Sequence, residues 1–139
     1  MNFNHKKSGF TLLEIIIVII IIGVLASLAL PRLFKTVEFS RAAEAFRAMS
    51  SIRQSVERCY LQSGGTYVGC FLNNLDLEDP GTSVNSHFTY SLSNTSRAGY
   101  TIVARRNTRD GGNNASTISL IQTSSAVQRS GTTKFTGIK

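Results

Sequence analysis

Residues 6–31 read KKSGFTLLEIIIVIIIIGVLASLALP. Ile15–Leu30 carries no charge, and counted back to Phe10 the apolar run is 21 residues long. As a helix it would measure about 32 Å, close to the roughly 30 Å hydrocarbon core of a bilayer. Lipid offers the backbone no hydrogen-bond partner, so the run is predicted to be helical despite its many β-branched side chains. A strand in a soluble core could not be this long.

Three readings of the segment compete. A secretory signal peptide has a basic start, a shorter apolar stretch and a small-residue cleavage site after it. This run is too long, and Ala26-Ser27-Leu28-Ala29 fits such a site poorly. A permanent single-pass anchor accounts for the length but not for Glu14, because a carboxylate in an apolar span costs up to about 3 kcal/mol at mid-membrane. The third reading joins both features. Lys6-Lys7-Ser8-Gly9-Phe10-Thr11-Leu12-Leu13-Glu14 resembles the precursor signature of type IV pilins and type II secretion pseudopilins. That resemblance implies a leader, residues 1–9, cut after Gly9 by a prepilin peptidase, with the new amino terminus of Phe10 methylated. Phe10 and Glu14 then stand at mature positions one and five, and Pro31 falls where the family commonly carries a helix-kinking proline.

Charge gives this resemblance a physical sense. Cleavage would create an ammonium at Phe10, four residues before Glu14, and a buried carboxylate paired with an ammonium is far less costly than a lone one. In the family the glutamate is thought to meet the amine of a neighbouring subunit, which implies an assembly role for Phe10 and Glu14. The competing reading has Glu14 reaching the headgroups or favouring the helix dipole. Lys6 and Lys7 supply leader charge that favours the cytoplasmic side. Arg32 and Lys35 sit just past the other end, so charge alone leaves orientation open.

The 139-residue chain allows one modest domain beside this segment. Its net charge is +7, and without the first nine residues 13 Lys and Arg face 8 Asp and Glu, a net of +5. A basic balance permits attraction to nucleic acid or anionic surfaces, but scattered arginine is ordinarily a solvated face. Cys59 and Cys70 can form a disulfide outside the cytoplasm and would otherwise be two free thiols. Neither has a neighbouring Cys or His at zinc spacing, so no metal site is expected there.

Pro31, helped by Gly23, predicts a kink or local unwinding near residues 27–31. An amphipathic helix follows, from about Leu33 to Leu61, with Ala42, Ala45, Phe46, Met49, Ile52, Val56 and Tyr60 on its apolar stripe. Glu38, Arg41, Glu44, Arg47, Arg53, Glu57 and Arg58 are assigned to the opposite, solvated face, with Glu38–Arg41, Glu44–Arg47 and Arg53–Glu57 as helix-surface pairs. Gly64 and Gly65 end the helix. Residues 66–84 read as a loop, where Asp76, Glu78 and Asp79 form either a cation site or a solvated acidic turn. Strands are predicted at Phe88–Leu92, Tyr100–Arg105 and Thr117–Ile121 as an antiparallel meander. The tail from Thr123 would add a fourth strand or an exposed edge, with Phe135 packing back.

No catalytic constellation is found. His5 and His87 have no sequence-local partner, no serine sits in a nucleophile elbow, and no cofactor is implied. Phe10, Phe34, Phe39, Phe46 and Tyr60 along the helix read as packing residues, with electron conduction the rarer use. The expected fold class is α+β: a long N-terminal helix on a small antiparallel sheet, shaped like a ladle. Its expected parts are the 1–9 leader, the 10–32 membrane or filament-core helix, the 33–63 amphipathic helix and the 64–139 head. The expected role is a structural filament subunit, not an enzyme. Its precursor would sit in the inner membrane, head outward in the periplasm or outside the cell, and the finished filament would be an extracellular pilus. An assembly ATPase and an inner-membrane platform protein are implied by the resemblance, and DNA or another surface ligand is conceivable. The alternatives are a periplasmic pseudopilus of type II secretion, or a membrane-tethered periplasmic binding domain that never polymerises.

Overall fold

A computed structural model describes residues 9–138, so Lys6 and Lys7 lie outside the described residues. The chain divides into two units, residues 1–36 and 37–139. One helix, α1 (Leu12–Gln62), contributes to both. It starts where Thr11 Oγ1 accepts a hydrogen bond from the Glu14 amide at 3.2 Å, which satisfies one of the first-turn donors. It ends where Gly64 and Gly65 take positive φ, and the Gly65 amide donates to the Tyr60 carbonyl at 3.0 Å.

In the first unit α1 stays helical through Gly23 and Pro31, so of the kink or local unwinding expected near residues 27–31 the unwinding does not occur. Proline removes one donor, the one that would reach the Ser27 carbonyl, and a long helix can lose one bond without opening. The helix predicted to resume near Leu33 is therefore the same helix continued.

In the second unit the C-terminal part of α1 packs on a four-stranded antiparallel sheet: β1 (Phe88–Ser93), β2 (Tyr100–Arg106), β3 (Thr117–Gln122) and β4 (Val127–Gly131), in that spatial order. The register sets Tyr90 beside Ala104 and Ala104 beside Ile118, while Leu92, Ile102 and Leu120 form the next row. Alternation then turns these side chains to one face, where they meet Ala42, Ala45, Met49, Ile52 and Val56 of α1. The opposite face carries Thr89, Ser91, Val103, Thr117 and Ser119. The α+β class is therefore correct, and the tail resolves into β4 followed by a 3₁₀ turn, Thr133–Phe135, that buries Phe135 5.8 Å from the Phe88 ring.

Cys59 near the end of α1 is bonded to Cys70 in the following loop, with Cα atoms 6.1 Å apart. The bond closes a loop that is also held by the buried Tyr67, whose amide donates to the Ser96 carbonyl at 3.2 Å. Reducing it, or replacing both cysteines with serine, is expected to lower head stability by about 2–3 kcal/mol on chain-entropy grounds. Denaturant titration of the oxidised and reduced chain would measure this, and coincident curves would show that the loop is already ordered without it.

Candidate functional site

The first unit is a helix with almost nothing covering it. All its described residues are exposed except Ala26, which is intermediate. Phe10 is 79% exposed and Leu12 77%, and no residue of its most apolar 18-residue window is buried. The helix is long and apolar enough to cross a membrane. So much apolar surface, at roughly 25 cal/mol per Å², cannot face water without a large penalty. It requires lipid or other helices around it. Gly9 and Phe10 precede the helix, and Glu14 lies in its first turn, one turn beyond Phe10. The Thr11 hydroxyl performs the capping; among the described residues the Glu14 carboxylate has no hydrogen-bond or ion-pair partner. Thr11 and Glu14 match the spacing of a capping box, a helix-start signal carried by the sequence itself.

The head treats its charges differently from the helical-wheel expectation. Glu38, expected on the solvated face, is buried, and it receives the fully buried Arg106 guanidinium at 3.3 and 3.4 Å. Burial pushes the Glu38 carboxyl up, but the hydrogen bond and charge of Arg106, with Lys134 and Arg41, hold it below its usual range. Arg106 also donates to the carbonyls of His87, Asn107 and Arg109, at 3.2, 3.0 and 2.8 Å. Of the three predicted helix-surface pairs, Glu38–Arg41 forms at 2.9 Å. The other two glutamates turn to the sheet unit instead. Glu44 accepts from the His87 amide and faces its ring nitrogen at 2.8 Å, while Asp110 faces the other ring nitrogen at 3.0 Å. Glu57 accepts from the hydroxyls of Tyr67 and Tyr100. Burial and Glu57 together push the Tyr67 hydroxyl up to about 12.

The acidic loop is likewise engaged. Asp76 binds the Arg58 guanidinium at 2.6 and 2.9 Å and accepts from Ser55, and these bonds hold its carboxyl at about 2. Asp79 accepts from the Gly81 amide at 2.8 Å within its own turn. Asp76 is thus committed to an arginine, and among the described residues no group of three or more His, Cys, Asp or Glu is arranged to hold a metal ion. Tyr60 belongs to an aromatic cluster in the head, 4.5 Å from Tyr67, which in turn meets Tyr100 at 4.8 Å.

A family model described as a prokaryotic N-terminal methylation motif matches residues 4–30. The fimbrial protein EcpC of Eikenella corrodens is 31% identical over 124 residues, covering 78% of this chain and 80% of its own. The chain belongs to the type IV pilin and pseudopilin family. A probable minor fimbrial protein of Dichelobacter nodosus is 40% identical over 81 residues, 58% of this pilin-like chain and 50% of its own length, so the chain spans about half of that relative. The type II secretion system core protein G of Escherichia coli is 50% identical over 52 residues, 37% of this chain and 34% of its own. No solved structure matches the chain. The family is one of structural subunits rather than enzymes. In this pilin-like chain the exposed apolar helix, with the Glu14 carboxylate in its first turn, is therefore the candidate functional surface.

Proposed function

We propose that this pilin-like chain is cut after Gly9 by a prepilin peptidase, methylated at Phe10, and polymerised through the N-terminal part of α1 into a type IV pilus-like extracellular filament. In this reading residues 1–9 are the leader, with Lys6 and Lys7 holding it at the cytoplasmic face, and 10–32 form the membrane and later filament-core helix. Residues 33–63 are the amphipathic helix and 64–139 the β-rich head packed on it, exposed for adhesion, motility or DNA uptake. Gly23 and Pro31 are the positions where the helix bends on packing. The assembly ATPase and inner-membrane platform protein supply the work of extracting the helix from lipid.

One observation carries this reading: an apolar helix with no cover that holds, one turn from Phe10, a carboxylate with no partner among the described residues. A subunit whose ammonium meets that carboxylate, and whose own apolar helix covers that surface, satisfies both needs together. The type II pseudopilus is the second reading, favoured by the match to core protein G. Against it, that match covers 37% of the chain, whereas the fimbrial match covers 78% and so extends well into the head.

Mass spectrometry of the mature chain tests the first step. The expected N-terminal peptide begins at methylated Phe10; an intact Met1, or a cut near residue 26, would sink the proposal. Electron microscopy of filaments sheared from the cell surface, with their subunits sequenced, separates pilus from periplasmic pseudopilus.

A further inference from the structure

The sheet has two outer strands, and they are not alike. The Pro80–Thr82 turn lies against β1, where a Cβ on Gly81 would come within 3.3 Å of the Thr89 Cα. β4 is open, with Val127–Ser130 exposed. The Thr123 amide donates to the Ala126 carbonyl and the Thr132 amide to Thr117, and the register between them is unbroken. Even-numbered residues of β4 therefore turn their backbone groups to β3, and Val127 and Arg129 turn theirs to the free edge. Among the described residues no hydrogen bond from outside the sheet reaches those groups. Native edges are commonly blunted by a proline, a bulge or an exposed charge. β4 has no proline and no bulge against β3, and its one charge does not guard the edge. Arg129 stands opposite the buried Leu120, so its side chain lies on the helix-facing side, its guanidinium 5.9 Å from the Phe46 ring centre. Stacking there leaves the in-plane donors of the guanidinium available. Arg47 and Arg53 of α1 line the same groove, and no carboxylate does. Among the described residues none of these three arginines forms an ion pair.

We propose that β4 is a docking edge for an extended peptide of a partner protein, added antiparallel as a fifth strand with acidic residues at alternate positions toward Arg47, Arg53 and Arg129. In strand addition the main-chain bonds give affinity and alternate side chains give specificity. Alternate residues of a strand share one face, so acids two apart all turn to the arginines while the residues between them turn to solvent. A second copy of this chain does not supply such a strand. β1–β4 contain no Asp or Glu, and pairing β4 with β4 would bring arginine to arginine. The acidic stretch Asp76–Asp79 is already engaged: Asp76 holds Arg58 and Ser55, and Asp79 accepts from the Gly81 amide, which leaves Glu78. A polyanion without a peptide backbone could meet the arginines but would leave the backbone groups of Val127 and Arg129 unpaired.

The test uses the full chain in non-ionic detergent micelles, so it does not depend on polymerisation. The probe is a fluorescein-labelled eight-residue peptide that alternates glutamate with threonine, read by anisotropy. Binding is expected. In the antiparallel pairing the glutamates lie opposite Val127 and Arg129 and exchange backbone bonds with them, while the threonine amides face away. N-methylation of the glutamate amides is therefore expected to weaken binding at least tenfold, and N-methylation of the threonine amides to leave it nearly unchanged. Arg53→Gln and Arg129→Gln are each expected to weaken it about tenfold, the loss of one charge-assisted contact. Arg97→Gln and Arg105→Gln, exposed arginines outside the groove, should leave it unchanged. The intact Cys59–Cys70 bond and an unaltered circular dichroism spectrum show that each variant is folded. Absence of binding, equal binding of the two N-methylated peptides, or equal losses from all four arginine substitutions would each overturn the proposal. So would equally tight binding of a thymidine strand with the same charge as the peptide, because that ligand has no strand to add.

Discussion

Glu14→Gln is expected to leave the chain inserted and processed in the membrane yet to abolish filaments. The structure makes this a clean test because the Glu14 carboxylate has no role in starting α1; the Thr11 hydroxyl takes the Glu14 amide at 3.2 Å. Glutamine therefore preserves the helix and its insertion, and removes only charge. If the carboxylate served the helix dipole alone, its loss would cost about 0.3–1 kcal/mol and filaments would survive. If it neutralises the ammonium of a neighbouring Phe10, the substitution leaves that ammonium unpaired among apolar side chains, at about 3–5 kcal/mol for each subunit added. A penalty repeated at every addition stops growth. Counting filaments by electron microscopy, alongside the amount of processed chain in the membrane, separates the two cases. Normal filaments from the glutamine variant would remove Glu14 from the assembly mechanism. Aspartate, with the same charge on a shorter arm, is expected to restore few filaments.

What could be read from the sequence follows from how local each signal is. The apolar run, the Gly64–Gly65 stop and the three strands that alternate apolar with polar residues are patterns carried by neighbouring positions, and the observed strands differ from the predicted ones by a residue at their ends. β4 is not legible in the sequence because an edge strand with every residue but Gly131 exposed has no buried face to impose alternation. Glu38 defies a local reading for a different reason. Its partner is 68 residues away, and a helical wheel assigns charge to water by default. Spacing did hold a clue: Glu38, Ala42, Ala45, Met49, Ile52 and Val56 follow one another at threes and fours, so the carboxylate continues the buried stripe. A glutamate in that series asks for a cation across the core. Arg106, last in a strand whose residues 100, 102 and 104 all point inward, was the one in phase.

That pair supplies the largest expected loss of stability in the head. Arg106 is fully buried and reaches the Glu38 carboxylate, three backbone carbonyls and the Asn107 side chain, so nearly every guanidinium donor is satisfied. Arg106→Ala removes all of these, opens a cavity beside Phe88, and leaves Glu38 with Arg41 alone. Breaking one side of a buried pair costs about 3–5 kcal/mol, enough to consume much of a small domain's stability. Lysine keeps the charge but not the fork, and is expected to recover less than half of the loss. Gly112→Ala should act in the same direction, because a Cβ there would lie 2.6 Å from the Arg106 guanidinium carbon and 2.0 Å from the Asn107 carbonyl oxygen. The dependence on pH distinguishes the ion pair from the cavity. The folded-state pKa of Glu38 is held below 4.5, so its contribution is present above that value and is lost as pH falls through the lowered one. In Arg106→Ala the main partner holding it down is gone and burial acts in the opposite sense. Denaturant midpoints of the native chain and the alanine variant should therefore lie far apart at neutral pH and converge as the solution is acidified below about pH 4. A gap that stays constant across that range would mean that packing and backbone hydrogen bonds, rather than the charge on Glu38, account for what Arg106 contributes.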